Sequence, residues 1–523
     1  MIEEDRYKKL YEDITKERGK PFNHWELTAL LEAYGLRDID AQNIYESENL
    51  FELAKKLESF IDNYSYEERE LSVEEIIPIV PRVSKNYIKG LAFALPMLIQ
   101  IVATIFIGYS LWSSTEIDMA SATAIAIGSF TALVVTGGIA QIIGRQGLFY
   151  IKAKQYLLAS KVIKRFYIFG LKIIILIAIF LSVINLLFEF VPFSLYILTL
   201  FFYILLSILY LNFSIYYALE DFFDIVMFTS IGVILVYLFY RIFEFELIHS
   251  QSLALSVLNI TLFFFSLRKL KKLELRSSDI EDATLPKTVI LFHTLLPFFL
   301  YGFLYFSFLV ADRFIAWSAD YENNPYLIWF QIDYELGLDW ALISLIFMIG
   351  VTEVSISELL IRINRATKDY IYSETQSYNN MVKYYLNKFN IIFTIASLFV
   401  AFLAYYFIYY LAINFENENL KNMLIPPIPT LFFIATLAYL FLVKGLMNIL
   451  LLFSFSREAI ALKAIYYAVL CNILLGLIIS RLISYEYAVV GLLCGSILFW
   501  YISRKAIKKM IDNLDYYYYS AYY

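Results

Sequence analysis

The chain reads as an all-α integral membrane protein. About twelve transmembrane helices fall into two pseudo-repeated six-helix bundles, with a small helical domain before them. Three observations lead there: an apolar composition, recurring apolar runs long enough to cross a bilayer, and a repeated order of features on either side of a basic connection.

The 523 residues are 60% hydrophobic and 18% aromatic, with a mean hydropathy of +0.65. That is more apolar surface than one or two water-solvated cores can bury, so lipid must solvate most of it. A hydrocarbon core of about 30 Å takes roughly 20 apolar residues per helix. Such runs occur roughly at residues 90–111, 121–143, 167–189, 193–216, 223–240, 250–267, 288–311, 338–360, 389–413, 430–453, 459–480 and 484–502, called spans 1 to 12 here. Period-two alternation is absent from them, which argues against a transmembrane β-barrel.

Short loops rich in Lys and Arg stay in the cytoplasm. With the N-terminus inside, the inner loops and tail hold 26 basic residues and the outer loops four, Arg241, Arg313, Lys421 and Arg481. The expectation is a multi-pass protein of the cytoplasmic membrane with both termini cytoplasmic. The absence of a signal peptide or lipidation motif fits insertion by span 1.

Residues 1–80 carry 20 acidic and 10 basic residues and form the expected acidic cytoplasmic domain. Trp25, Leu27, Leu30, Leu31 and Tyr34 fall on one helical stripe, as do Leu50, Leu53, Leu57, Phe60 and Ile61. Three short amphipathic helices are expected, serving as a cap or docking module.

The connection 268–287 divides the membrane region into a bundle at 88–267 and another at 288–502, with a Tyr-rich tail at 503–523. Span 1 contains Pro96 and span 7 Pro297, each about one-third of the way in; near the ends of spans 2 and 8, Gln141 and Arg145 align with Glu358 and Arg362. Two bundles related by an axis along the membrane normal are a transporter arrangement, because rocking one against the other opens a central cavity to each side in turn. Polar residues within spans then mark the cavity, since an ionisable group facing lipid costs a few kcal/mol. His293, Glu353 and Lys444 lie at a similar depth, about 9 Å from the inner end at 1.5 Å per residue. Glu353 and Lys444 are expected to pair or share protons with His293 nearby, or else to form a buried pair that fixes helix packing. Gln141, Arg145 and Glu358 complete the cavity candidates.

The segment FLVADRFIAW ends span 7 with Asp312, Arg313 and Trp317. From Lys287 to Asp312 is about 37 Å of helix, which exceeds the hydrocarbon thickness. The pair is therefore expected at the outer mouth, as a gate or as an interfacial anchor in which Arg313 snorkels, Asp312 neutralises it, and Trp317 and Tyr321 join the aromatic belt.

This segment, followed by Tyr334, Glu335 and Leu336 at the start of span 8, resembles the membrane subunit of Pel-type exopolysaccharide exporters, a family within the multidrug and polysaccharide flippase superfamily. Asp312, Arg313, Phe314, Ile315 and Trp317 match its pattern, as do Glu358 near the inner end of span 8 and Gly137, Gly138 and Arg145 in and after span 2. The sequence departs from it at Arg313, where the family has Lys, and at Gly337, where it has Pro. The resemblance implies alternating-access export of an exopolysaccharide or its lipid-linked precursor, without catalysis, and a cytoplasmic glycosyltransferase as a possible partner.

Two other readings stand beside it. A multidrug antiporter of the same superfamily would use a proton- or sodium-binding carboxylate; Glu353 could serve, but it sits in the second bundle, and span 1 has no carboxylate. A membrane glycosyltransferase would keep metal-binding acids such as Glu116 and Asp118 in an outer loop. Cys471 and Cys494 lie inside spans 11 and 12 and read as small apolar residues. The three His residues, 24, 249 and 293, are too scattered for a zinc site. No phosphate-binding loop or nucleic-acid motif is present, so no cofactor, metal or nucleic-acid partner is expected, only membrane lipid and the exported glycan.

Overall fold

The computed structural model describes residues 2–18, 21, 23–59, 78–189, 191–276, 285–319, 324–369, 375–414, 418–514 and 517. Tyr321, Phe60, Ile61 and residues 515, 516 and 518–523 of the Tyr-rich tail lie outside them. Among the described residues the regular structure is helical, and the strand-like geometry is confined to one bridge between Tyr109 and Ser114.

Twelve helices among the described residues are long and apolar enough to cross a membrane. Spans 1 to 6 are Ile79–Ile107, Met119–Lys152, Tyr156–Phe188, Phe193–Ala218, Phe222–Tyr237 continued by a π turn at Leu238–Ile242, and Leu247–Glu274. Spans 7 to 12 are Thr288–Trp317, Ile332–Asp369, Thr375–Asn414, Ile428–Ser454, Glu458–Leu482 and Ala488–Asp512. Many run past the apolar segments expected from sequence. Hydropathy marks the part that lipid solvates, whereas backbone hydrogen bonding carries the helix on into polar residues, as in 376–388 of span 9. Span 1 is the reverse case: Gly108, at φ +92°, stops it four residues before the expected end. The side where span 1 begins and span 12 ends is called the near side here, the opposite one the far side.

The chain divides into two compact units, Met1–Asn86 with Glu353–Phe393 and Ala506–Tyr523, and Tyr87–Thr352 with Thr394–Lys505. The first contains the acidic module, whose described residues form four helices where three were expected: α1 (Ile2–Arg18), α2 (His24–Ala33), α3 (Asp38–Tyr45) and α4 (Leu50–Glu58). Helices α2 and α4 each start at an Asn whose side-chain oxygen accepts a backbone N–H three residues on, Glu26 N to Asn23 at 3.0 Å and Glu52 N to Asn49 at 2.9 Å. Leu27, Leu30, Leu31, Leu50, Leu53 and Leu57 are buried together against Leu10, Tyr11 and Ile14 of α1. Trp25 and Tyr34, expected on the buried stripe, face outward at 63% and 50% exposure. Trp25 packs edge-on against Phe51, whose ring is also exposed.

In the second unit, corresponding spans of the two bundles are tied by asparagine. Tyr167 donates to Asn212 at 2.9 Å, and Asn212 Nδ2 donates to Asn259 at 3.4 Å, joining spans 3, 4 and 6. In the other bundle Asn448 Nδ2 of span 10 donates to Ser503 of span 12 at 3.1 Å. Such bonds hold helices together where the surroundings offer no competing water.

Candidate functional site

Spans 2 and 7 form a long antiparallel seam between the bundles. Going along span 2, Phe130 meets Phe314 and Trp317, Gly137 meets Phe306, Gly138 meets Phe299, Gln141 meets Gly302, and Arg145 lies over the Phe298 ring, 5.0 Å from its centroid. The glycines set the separation: a Cβ on Gly302 would stand 2.5 Å from Gln141 Cγ and 2.6 Å from the Gly137 carbonyl oxygen. Small residues let helix backbones approach this closely in the absence of a hydrophobic driving force. Gln141 and Arg145, chosen from sequence as cavity residues, therefore both lie on the seam.

At the far end of that seam the charges of span 7 are buried. Asp312 and Trp317 have no exposed surface, and Arg313 retains 4%. Arg313 bonds directly to Glu335 of span 8 rather than to Asp312, lies 3.8 Å from Asp339, sits beside Tyr439 of span 10, and stacks over Phe130 of span 2 at 5.0 Å. Trp317 Nε1 donates to Glu335 at 3.1 Å, and Tyr334 OH donates to Asp312 at 2.8 Å. The snorkelling anchor expected from sequence is therefore corrected: helix length placed the pair at the end of span 7, but the side chains turn inward, where span 8 supplies the acids and spans 2 and 10 the cover. Arg481 of span 11 caps the same helix end, donating to the carbonyls of Ile315 and Ser318 at 3.0 and 2.8 Å.

The cluster brings three carboxyl groups, Asp312, Glu335 and Asp339, to one guanidinium. Asp312 Oδ1 has no hydrogen-bond partner among the described residues. A low-dielectric site tolerates such an excess poorly, so the cluster is electrostatically tense in a way a simple ion pair is not.

On the near side, spans 1 and 8 are joined by a buried ion pair. Arg82 donates twice to Glu358, Nε to Oε1 at 2.6 Å and Nη2 to Oε2 at 2.9 Å, with only 12% and 6% of the two side chains exposed. The bidentate fork is the strongest geometry available to an Arg–carboxylate pair. Glu358, expected on a cavity wall, is thus a buried clasp residue. Sequence reading missed Arg82 because it counted only as a loop charge. Its aligned neighbour Arg362 packs over Tyr385 and Phe389 of span 9, at 4.8 and 5.8 Å, echoing Arg145 over Phe298.

The remaining candidates lie elsewhere. His293 is exposed on span 7, and Glu353 is half-buried on span 8. Lys444 is half-buried over the Trp500 ring at 5.5 Å. Glu353 and Lys444 fall in different compact units. In the first far-side loop, Asp118 caps span 2 by accepting from Ser121 N at 3.0 Å, a bond that holds its carboxyl below the usual range. Glu116 accepts from Tyr240 OH at 2.7 Å and lies 3.6 Å from Arg241. The two acids thus have separate protein partners, and among the described residues no group of three or more His, Cys, Asp or Glu is placed to hold a metal ion.

No family model and no curated protein sequence matches the chain. Solved structures do. A mutant form of the Vibrio cholerae MATE transporter VcmN superposes with a TM-score of 0.58 at 14% identity, covering 84% of this chain and 98% of its own. A MOP superfamily transporter from Pyrococcus furiosus, described as having a binding pocket of reversed polarity that suggests a different function, gives 0.56 at 12%, covering 83% and 97%. A multidrug resistance MATE family transporter in an outward-facing conformation gives 0.55 at 12%, covering 83% and 97%. The chain therefore has the fold of these transporters, twelve helices in two pseudo-repeated bundles, preceded by its own helical module.

Proposed function

We propose that this protein is an alternating-access transporter of the cytoplasmic membrane, with both termini cytoplasmic, and that it exports an exopolysaccharide or its lipid-linked precursor. The observation that carries the transport reading is the Arg82–Glu358 clasp, a buried bidentate ion pair between span 1 of one bundle and span 8 of the other. A contact of this kind holds one side closed yet can exchange its partner for water when the bundles separate, which an apolar seam cannot do at comparable cost. The buried Asp312-Arg313 cluster at the far end supplies the second gate. His293, Glu353 and Lys444 are the candidates for polar groups along the path. The glycan assignment rests on the resemblance of the Asp312–Trp317 and Tyr334–Leu336 segments to Pel-type exporters. In this reading the basic near-side loops meet a glycosyltransferase that delivers the product, and the protein does no covalent chemistry itself.

A second reading, multidrug antiport, is favoured by the structural neighbours described as multidrug transporters. Against it, span 1 contains no Asp or Glu. Deleting the gene separates the two. The glycan reading expects loss of surface polysaccharide, restored by wild type and by Glu116→Gln. Normal polysaccharide together with new sensitivity to cationic drugs would replace it by the antiporter.

A further inference from the structure

Span 1 ends early, and the chain that follows it turns back into the first bundle. Counted from the aligned prolines, span 7 continues 20 residues, from Pro297 to Trp317, whereas span 1 continues 11, from Pro96 to Ile107. The missing length, about 13 Å of helix, is filled by non-helical chain. Gly108 makes the turn, and Tyr109, Ser110 and Leu111 have no exposed surface. Leu111 reaches spans 5 and 6: a Cβ on Gly232 would stand 2.8 Å from Leu111 Cδ2 and 3.1 Å from Leu258 Cδ2. Gly232 and Leu258 lie ten and eleven residues in from the far ends of their helices at Ile242 and Leu247, a depth of about 15 Å. Trp112 packs edge-on against Tyr210 of span 4 at 6.1 Å between ring centroids.

Non-helical backbone is tolerated at membrane depth only where protein or water satisfies it, and here two buried glutamines do so. Leu111 N donates to Gln100 Oε1 of span 1 at 2.9 Å; Gln251 Nε2 of span 6 donates to the carbonyls of Ser110 at 2.9 Å and Ser113 at 3.2 Å. The hydroxyl of Ser113 meets those of Thr104 and Ser110 at 2.6 and 2.8 Å. These backbone partners fix both amides, so that Gln100 presents its oxygen to the loop and Gln251 its nitrogen. The other ends, Gln100 Nε2 and Gln251 Oε1, have no hydrogen-bond partner among the described residues. The C=O and N–H of the Ser110–Leu111 peptide group point opposite ways. The loop therefore stands between a donor and an acceptor that match each other.

The fastening at the surface is slight. Glu116 accepts from Tyr240 OH at 2.7 Å and lies 3.6 Å from Arg241, on the π turn of span 5, with 36% of the Glu116 side chain and 53% of the Arg241 side chain exposed. Exposed pairs of this kind contribute little and exchange readily for water.

We propose that residues 109–114 are a plug, seated here in the far end of the first bundle, that withdraws when the protein opens to the far side. Its backbone then passes to water, while Gln100 and Gln251 turn to each other. Only the timing of this movement rests on the alternating-access reading; the seat and its fastening belong to the first bundle alone.

The test uses the full chain in a Cys471→Ser, Cys494→Ser background. In lipid nanodiscs, Ser110→Cys should react with a polar maleimide at least tenfold more slowly than Thr115→Cys at the exposed rim, yet go to completion. Adding Glu116→Ala should speed that reaction at least threefold. Thr104→Cys with Ser113→Cys should close into a disulfide under mild oxidant, stopping export in cells until reductant is added. Ser110→Cys that stays unmodified long after Thr115→Cys is fully labelled would overturn the plug, as would undiminished export by the fully oxidised Thr104→Cys, Ser113→Cys protein. Labelling as expected in a protein whose gene deletion leaves surface polysaccharide normal would uphold the plug and remove only the glycan reading.

Discussion

Two buried arginines, Arg82 and Arg313, solve the same problem differently. Arg82 meets Glu358 through both carboxylate oxygens in a bidentate fork. Arg313 meets Glu335, approaches Asp339, and lies beside Asp312 under a lid of Phe130, Trp317 and Tyr439. A forked ion pair can exchange its hydrogen bonds for water when the helices carrying it part; an over-acidic cluster depends on its single cation for existence in a dry site. The first is suited to open and close, the second to hold or to change state when its cover moves.

That contrast is broken most severely by Arg313→Met. It leaves two buried carboxyl groups, Asp312 and Glu335, and the partly exposed Asp339 without a cation and should destabilise the protein by about 3–5 kcal/mol, read as a lowered unfolding midpoint in detergent. Arg82→Met should cost less, about 1.5–3 kcal/mol, and adding Glu358→Met should return most of it, because the stranded carboxylate is then removed as well. Equal losses for Arg82→Met and Arg313→Met would erase the distinction. Gly302→Ala probes the seam that the two clusters flank in sequence. Its Cβ would meet both Gln141 and the Gly137 backbone, so overpacking of about 1–3 kcal/mol is expected, with Gly144→Ala, which has open space, as the neutral control. Asp312→Asn should leave the midpoint unchanged or raise it. The amide oxygen still accepts from Tyr334, and one of three negative charges disappears. The smallest effect belongs to Asp118→Ala, about 1 kcal/mol from loss of the span 2 cap. Because Asp118 is held below its usual pKa, its contribution is present at neutral pH and is lost as pH falls through that lowered value.

The spans were legible because membrane solvation writes itself into contiguous composition, and the twelve expected segments correspond one to one with the helices. The bundle repeat was legible in part. Pro96 and Pro297 marked it, while the asparagines at 212 and 448 were a clearer signal that went unread. Side-chain direction was not legible. Depth alone placed Arg313 at an interface and Glu358 on a cavity wall, but which way each turns depends on spans 2, 8 and 1, whose approach is set by glycines at 137, 138, 302 and 350. The same limit explains Trp25 and Tyr34: their spacing fits the stripe of Leu27 and Leu31, yet the module's core is filled by leucines from α4 and residues of α1.

The central claim is that the Arg82–Glu358 clasp opens in every transport cycle. Arg82→Cys and Glu358→Cys, placed in a Cys471→Ser, Cys494→Ser background and bridged by a short reducible bis-thiosulfonate, test it through export of surface polysaccharide in living cells. The account predicts that bridging stops export and that reductant restores it, with either single cysteine unaffected by the reagent. Export continuing at the unbridged rate in fully bridged protein would contradict it.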